Sequence, residues 1–358
     1  MTLPFGMPVA PMLAKPVGDE LPDGEFVYEP KWDGFRCLVF KDGETVHLQS
    51  RNERPFERYV PELLPHLRAQ LPDRCVLDGE LVVVTDGELD FEALQQRIHP
   101  AQSRVDRLAG ETPTSYIAFD LLALGDSDLR NEHFDERRRL LREALGSVRP
   151  PLYLTPATRD RTVAREWFVR FEGAGLDGLI AKQPDGTYQP GKRVQLKVKH
   201  KRTADCVVAG YRMHKDGKGV GSLLLGIYDD TGRLHNVGVA TSFSAKRRVD
   251  LLAEVEPWRL PEGRFGEHPW SEWYDAEAHR QDTRLPGTPS RWNAQKDLSW
   301  EAVVPDHVIE VEYEGLLSGR FRHSARMVRW RPDRTPESCT YEQFSPLEAV
   351  TVDEIFGD

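Results

Sequence analysis

The segment KWDGFR at 31–36 carries a lysine just ahead of an Asp-Gly pair and an arginine. Lys31 could serve as a nucleophile at phosphorus, because a primary amine attacks once it has lost its proton. A free lysine titrates near ~10.4, so such a site must surround it with other cations or a metal. The same letters could instead form a charged hairpin turn. Cations are available in QLKVKH at 195–200. Strand alternation sets Lys197 and Lys199 on one face and Leu196 and Val198 on the other. Two like charges on one face call for an anion beside them; the alternative is a solvated edge strand guarded by lysines. The window 192–202 holds six Lys and Arg residues and no acid.

Carboxylates complete the inventory. LDGELVV at 77–83 sets Asp78 and Glu80 on the same side of a strand, and LDGLIAK at 176–182 sets Asp177 ahead of another. Carboxylates without a nearby base often hold a divalent cation, and Mg²⁺ takes one or two of them plus phosphate oxygens. The alternative is a pair of ordinary Asp-Gly turns. In AFDLL at 118–122, Phe119 is either a core aromatic or a plate for stacking.

These side chains need a scaffold. Residues 26–40 predict a strand, a turn and a second strand, and KDGET at 41–45 predicts a hairpin into VHLQS. Apolar spacing at Val60, Leu63, Leu64 and Leu67 predicts a helix over 55–71. Strands are expected at 76–84, 115–124, 178–182 and 194–200. Helices are expected at 90–98, with Asp90 as cap, and at 133–145 and 161–173. After residue 202 the pattern changes to five short strands and one helix at 244–255, which fits a small Greek-key barrel. Residues 257–300 do not fit that barrel. They hold five of the eight tryptophans and five prolines, which marks them as an insertion. They form either an aromatic-stapled excursion or a surface that touches nucleic acid. The domain boundary is placed at Arg202–Thr203, giving domains 1–202 and 203–358.

Composition narrows the setting. The 358 residues carry a formal charge of −10, which excludes a chain made basic throughout to coat nucleic acid. Any grip on phosphates must come from local patches: the window 192–202 and the window 318–334, with six arginines and one acid. Mean hydropathy is −0.54 and no apolar run approaches membrane-spanning length. The N-terminus lacks the charged and apolar regions of a secretory signal. Four scattered cysteines without a CxxC pair suit a reducing cytosol.

Taken in order, KWDGFR, SRNER (50–54), LDGELVV, AFDLL, DGLIAK and QLKVKHKR resemble the covalent nucleotidyltransferase superfamily of ATP-dependent DNA ligases, RNA ligases and mRNA capping enzymes. RMVRWRPDR at 326–334 resembles the family's terminal motif. LKVKHKRTADCVVAGY and GRFRHSARMVRWRPDR look most like bacterial ATP-dependent DNA ligases of the minimal ligase C-like type. The resemblance implies an α+β adenylation (nucleotidyltransferase, ATP-grasp-like) domain followed by an all-β OB-fold domain. It implies that Lys31 takes AMP from ATP and passes it to a DNA 5′-phosphate before the 3′-hydroxyl seals the nick. Glu29 would accept from the adenine amino group and Phe119 would stack on the base. Arg36 and Glu80 would contact ribose, and Arg51 would lie near the nicked strand. Lys197 and Lys199 would grip the α-phosphate, and Lys182 matches the pattern without a specific role. Arg329, Arg331, Asp333 and Arg334 would orient the pyrophosphate. Asp177, where the family usually has Glu, would hold Mg²⁺ or Mn²⁺ with Glu80. Expected partners are ATP and nicked duplex DNA, without a membrane; the enzyme is expected to be a monomer in the cytoplasm, at the nucleoid, acting in DNA repair. Two other readings stand beside this one: an RNA ligase or capping-type guanylyltransferase, and a non-catalytic OB-fold nucleic-acid-binding protein.

Overall fold

The computed structural model describes residues 2–271, 299–344 and 350–356. The chain divides into two units, Met1–His200 with Pro346–Asp358, and Lys201–Ser345. The first boundary lies within two residues of the sequence expectation, because the strand that opens the barrel begins at Arg202. The end of the chain differs. Val350–Phe356 belongs to the first unit, where its apolar side chains join a buried cluster.

Two sheets make the first unit. One has four strands in the order Leu13–Pro16, Arg193–Lys199, Gly178–Lys182, Val27–Pro30. The other runs Thr45–Ser50, Phe35–Asp42, Arg74–Thr85, Thr114–Leu124, Ser127–Asp128, with Glu88–Leu89 and Leu152–Leu154 attached. Val27–Pro30 and Phe35–Asp42 therefore belong to different sheets. Residues 31–34 are a crossing between sheets, not the hairpin turn that was the alternative reading. Gly34 permits the crossing: a Cβ there would stand 2.1 Å from the Leu81 carbonyl oxygen.

The strand Arg193–Lys199 is interior, pairing with Leu13–Pro16 on one side and Gly178–Lys182 on the other. The edge-strand explanation of its lysines fails for that reason. Leu196 and Val198 pack with Tyr28, Leu179 and Ala181, as the alternation predicts. The expected helix over 55–71 is shorter, a single 3₁₀ turn Glu57–Tyr59 followed by a helix Leu63–Gln70. Pro61 lacks an N–H and separates the two. Val60, Leu63 and Leu67 still enter a buried apolar cluster of the first unit. Asp90 caps the helix Phe91–Gln96 by accepting from Ala93 N at 2.8 Å. A helix at Gln102–Glu111 was not anticipated; it buries only Val105 and Leu108.

The second unit is a closed five-stranded barrel in the order Arg202–Met213, Val220–Tyr228, Leu234–Thr241, Ala325–Trp330, Glu301–Tyr313. The helix expected at 244–255 is present as Ala245–Val255, with Ser244 as its cap. The described part of the insertion is stapled to the barrel. Trp270 is 1% exposed, packs with Val207, Ala209, Leu224 and Leu234, and donates to the Leu234 carbonyl at 2.8 Å. Trp258 stacks on His307 at 3.5 Å. Trp273 and Trp292 lie outside the described residues, as does the rest of 272–298. Among the described residues no helix is long and apolar enough to cross a membrane.

Candidate active site

Lys31 follows the last residue of the strand Val27–Pro30. Its N–H donates to the Gly178 carbonyl at 2.8 Å, and its carbonyl accepts from Asp177 N at 3.3 Å. Gly178 has φ +133, and a Cβ there would meet the Val198 carbonyl oxygen at 2.1 Å. Only glycine allows the strand to start so close to its neighbour. These bonds place the Lys31 and Asp177 side chains together. Lys31 Nζ donates to Asp177 Oδ2 at 2.5 Å, and Lys199 Nζ lies 3.4 Å from the same oxygen. Lys31, expected among cations, and Asp177, expected at a metal, thus meet each other: the carboxylate joins the two lysines.

A cleft of about 180 Å³ opens between the two sheets. It gathers Glu29, Lys31, Arg36, Arg51, Glu80, Phe119, Lys182 and Lys197, all expected at a site, with Trp32, Arg193 and Gln195 added. Lys199 and Asp177 adjoin it through Lys31.

Each wall is held by buried charge. Glu29 is 2% exposed. Its Oε2 lies 2.7 Å from Lys182 Nζ, while Oε1, 3.5 Å from Arg138, accepts no hydrogen bond. Lys182 also donates to the Phe119 carbonyl at 3.1 Å. Arg36 is clamped by both oxygens of buried Asp78 at 2.5 and 2.6 Å, and its guanidinium stands 4.4 Å above the Phe119 ring. Asp78 also accepts from the Tyr188 hydroxyl at 2.6 Å. So Asp78, grouped with Glu80 as a candidate metal ligand by its position, is committed to Arg36.

Glu80 differs from Asp78. Burial pushes its carboxyl up to about 7. Arg36 and Lys31 pull it down, and Asp33 and Asp78 add to the rise. A carboxylate so placed lacks enough positive charge to settle it. Among the described residues no group of three or more His, Cys, Asp or Glu side chains is set to bind a metal. Mg²⁺ needs no such cage, since one or two carboxylates plus phosphate oxygens suffice.

Arg329, Arg331 and Arg334 belong to the second unit, each beside a carboxylate of that unit. Arg329 pairs with Glu310 at 2.7 Å, Arg331 with Asp205 at 2.9 Å and Asp333 at 2.8 Å, and Arg334 with Asp205 at 3.3 Å. Sequence reasoning missed Tyr188, Arg138 and Gln195. Tyr188 lies in a connecting segment and Arg138 on a helix, and nothing local ties either to the cleft. Gln195 shares the alternation of Lys197 and could have been found by it.

A family profile described as "ATP dependent DNA ligase domain" matches residues 11–201, and one described as "ATP dependent DNA ligase C terminal region" matches 216–334. DNA ligase C of Mycobacterium tuberculosis is 52% identical over 360 residues, covering 99% of each chain. The chain belongs to the ATP-dependent DNA ligases. DNA ligase C2 of Mycolicibacterium smegmatis is 54% identical over 354 residues, covering 98% of this chain and 99% of that protein. The multifunctional non-homologous end joining protein LigD of Mycobacterium bovis is 31% identical over 93% of this chain but only 40% of its own length. A solved Lig E DNA ligase shares the fold, with a TM-score of 0.55, 19% identity, and coverage of 91% of this chain and 100% of that one. Membership in the ligase family makes ATP the nucleotide and supports the reading of an adenylation domain followed by an OB-fold barrel. It sets aside the capping and non-catalytic alternatives.

Proposed function

We propose that this chain seals 3′-hydroxyl/5′-phosphate nicks in duplex DNA through a lysyl-AMP on Lys31. Lys31 Nζ attacks the α-phosphorus of ATP, the new P–N bond replaces the bond to pyrophosphate, and pyrophosphate leaves. Lys31 must first give up a proton, because an ammonium nitrogen has no lone pair to offer, whereas the neutral amine can still donate a hydrogen bond to Asp177 as it attacks. AMP then passes to the DNA 5′-phosphate, freeing the lysine. The 3′-hydroxyl attacks that phosphorus and expels AMP. All three steps are in-line displacements with the same demand for charge stabilisation, so one cleft serves them.

Lys197 and Lys199 supply that stabilisation at the α-phosphate. Glu29 Oε1 is a buried acceptor without a hydrogen bond, which suits the amino group of adenine. Phe119 offers the plate for the base, while Arg36 and Glu80 serve the ribose and Arg51 the nicked strand. Lys182 holds Glu29 in place. Arg329, Arg331 and Arg334 keep the pyrophosphate role that the resemblance implies. Glu80 and Asp177 would hold Mg²⁺ or Mn²⁺, and the unsettled charge of Glu80 fits a cation there. Such an ion would offset phosphate charge when bound. DNA is gripped through phosphates by the windows 192–202 and 318–334, so nick affinity should fall with salt by several units of log–log slope. The likeness to LigD supports DNA repair as the setting, with the enzyme a monomer in the cytoplasm.

The observation that carries this reading is the Lys31 amine in a cleft with Asp177 and the paired strand lysines. A nick-sealing assay with ATP tests it, together with mass spectrometry of the adenylated protein. Lys31→Ala should seal nothing, and the adduct should sit on Lys31; sealing by the variant, or an adduct elsewhere, overturns it.

A further inference from the structure

The last described residues, Val350–Phe356, lie on the first unit although the whole barrel precedes them in sequence. They are firmly seated. Val350, Val352 and Ile355 share one buried cluster with Trp32, Val82, Ile117, Phe171 and Leu176. The Phe356 ring stacks on Trp32, with centroids 5.2 Å apart and planes 5° from parallel, and on Tyr153 at 4.5 Å. Val352 N–H donates to the Gly87 carbonyl at 2.7 Å, and Arg170 pairs with Glu354 at 2.9 Å.

This cluster touches the site at two points. Trp32 is bonded in the chain to Lys31 and lines the same cleft. Its indole N–H donates to Thr155 Oγ1 at 2.8 Å, so one edge is tied and one face rests on Phe356. Leu176, 1% exposed, is bonded in the chain to Asp177. The residues flanking both members of the Lys31–Asp177 pair are thus fixed by the same apolar cluster. The backbone bonds between Lys31 and residues 177 and 178 join the two points into one rigid support.

We infer that the C-terminal helix Val352–Phe356 positions the Lys31 nucleophile, with Phe356 as the positioning residue acting through Trp32. This rests on the reading that Lys31 is the residue adenylated. Phe356 touches neither reacting atom; it holds the indole whose backbone carries the amine. A displacement of the nucleophile by about 1 Å can slow an in-line attack ~10²-fold, even when the substrate still binds.

The three steps of the reaction separate this role from a merely structural one. Lys31 is the attacking group in the first step only. In the last step the 3′-hydroxyl attacks DNA that already carries AMP. The full-length Phe356→Ala variant is compared with wild type in two single-turnover assays: transfer of label from α-labelled ATP with Mg²⁺, and sealing of a chemically pre-adenylated nick. We expect self-adenylation at saturating ATP to fall about tenfold or more, with KM for ATP and pre-adenylated sealing each changed by less than about twofold. Phe356→Trp, which retains a stacking ring, should restore the first step. Equal losses in the two assays, or undiminished self-adenylation, overturn the proposal. Should Phe356→Ala fail to fold, Phe356→Leu, which keeps volume but not stacking, takes its place under the same criteria. An adduct absent from Lys31 in wild type would sink the underlying reading instead, and the two failures are told apart by the wild-type control.

Discussion

Charges in the cleft and charges on the barrel strand Ala325–Trp330 are paired in opposite ways. In the cleft, Glu29 meets Lys182 with side chains 3% and 4% exposed, and Arg36 meets a fully buried Asp78. On the barrel, Arg326 meets Glu312 and Arg329 meets Glu310 across neighbouring strands, with the arginines 66% and 60% exposed. Buried partners cannot be traded for water, so those side chains are set before any nucleotide arrives. Exposed pairs gain little from each other and exchange readily for a phosphate. One region is built to hold a geometry, the other to release its arginines.

The contrast breaks most visibly at Asp78. Asp78→Ala would leave the Arg36 guanidinium without its counter-charge and Tyr188 without its acceptor. A cost of ~3–5 kcal/mol is expected, read as a lower denaturant midpoint for the first unit, with self-adenylation reduced in parallel. If the variant is as stable as wild type, the cleft is not held by its buried charges. The barrel provides a control that is equally deep but neutral. Trp270→Phe keeps most of the packing and removes one N–H bond to Leu234. Leaving that carbonyl buried and unpaired should cost about 1–3 kcal/mol in barrel unfolding. Nucleotide transfer to Lys31 should continue.

Much of this was legible in the sequence because it is local. The alternation of QLKVKH has a period of two, so the two faces of Arg193–Lys199 follow from the letters alone. The barrel strands and the cap at Asp90 are local in the same sense. What escaped notice depends on contacts between distant segments. A hairpin and a crossing between sheets look alike over KWDGFR; the deciding fact is how closely Gly34 approaches Leu81. Asp78 reads as half of a carboxylate pair until Arg36 and Tyr188 are seen around it. Val352–Phe356 is too short to display a helical period, and its partners, Trp32 and Leu176, are far up the chain.

Glu80 is where the cleft departs from its own rule, since burial outweighs the attraction of Arg36 and Lys31. Its carboxyl is raised from 4.5 to about 7, so the folded chain holds that proton more tightly than the unfolded chain does. Stability contributed by this group therefore declines as pH rises from about 4.5 to 7 and stays low above that. Glu80→Gln should melt higher than wild type at pH 8, and the gap should close as pH drops toward 4. A gap that is constant with pH would mean that something other than the buried charge separates the two proteins.

The smallest effect on stability is expected where the comparison began, on the barrel strand. Arg329 donates to Glu310 from a largely exposed position. Arg329→Ala should leave the unfolding midpoint of the barrel unchanged, because an exposed pair offsets its Coulomb gain with lost side-chain freedom and screening. Nick affinity should respond differently. If Arg329 gives up Glu310 for a DNA phosphate, the variant binds a nick more weakly at low salt and its log–log salt slope falls by about one. Glu310→Gln removes the competitor and should bind slightly more tightly than wild type at the same salt. A stable Arg329→Ala protein with an unaltered slope would show that this arginine is not exchanged, and that the strand's exposed pairs serve the barrel itself.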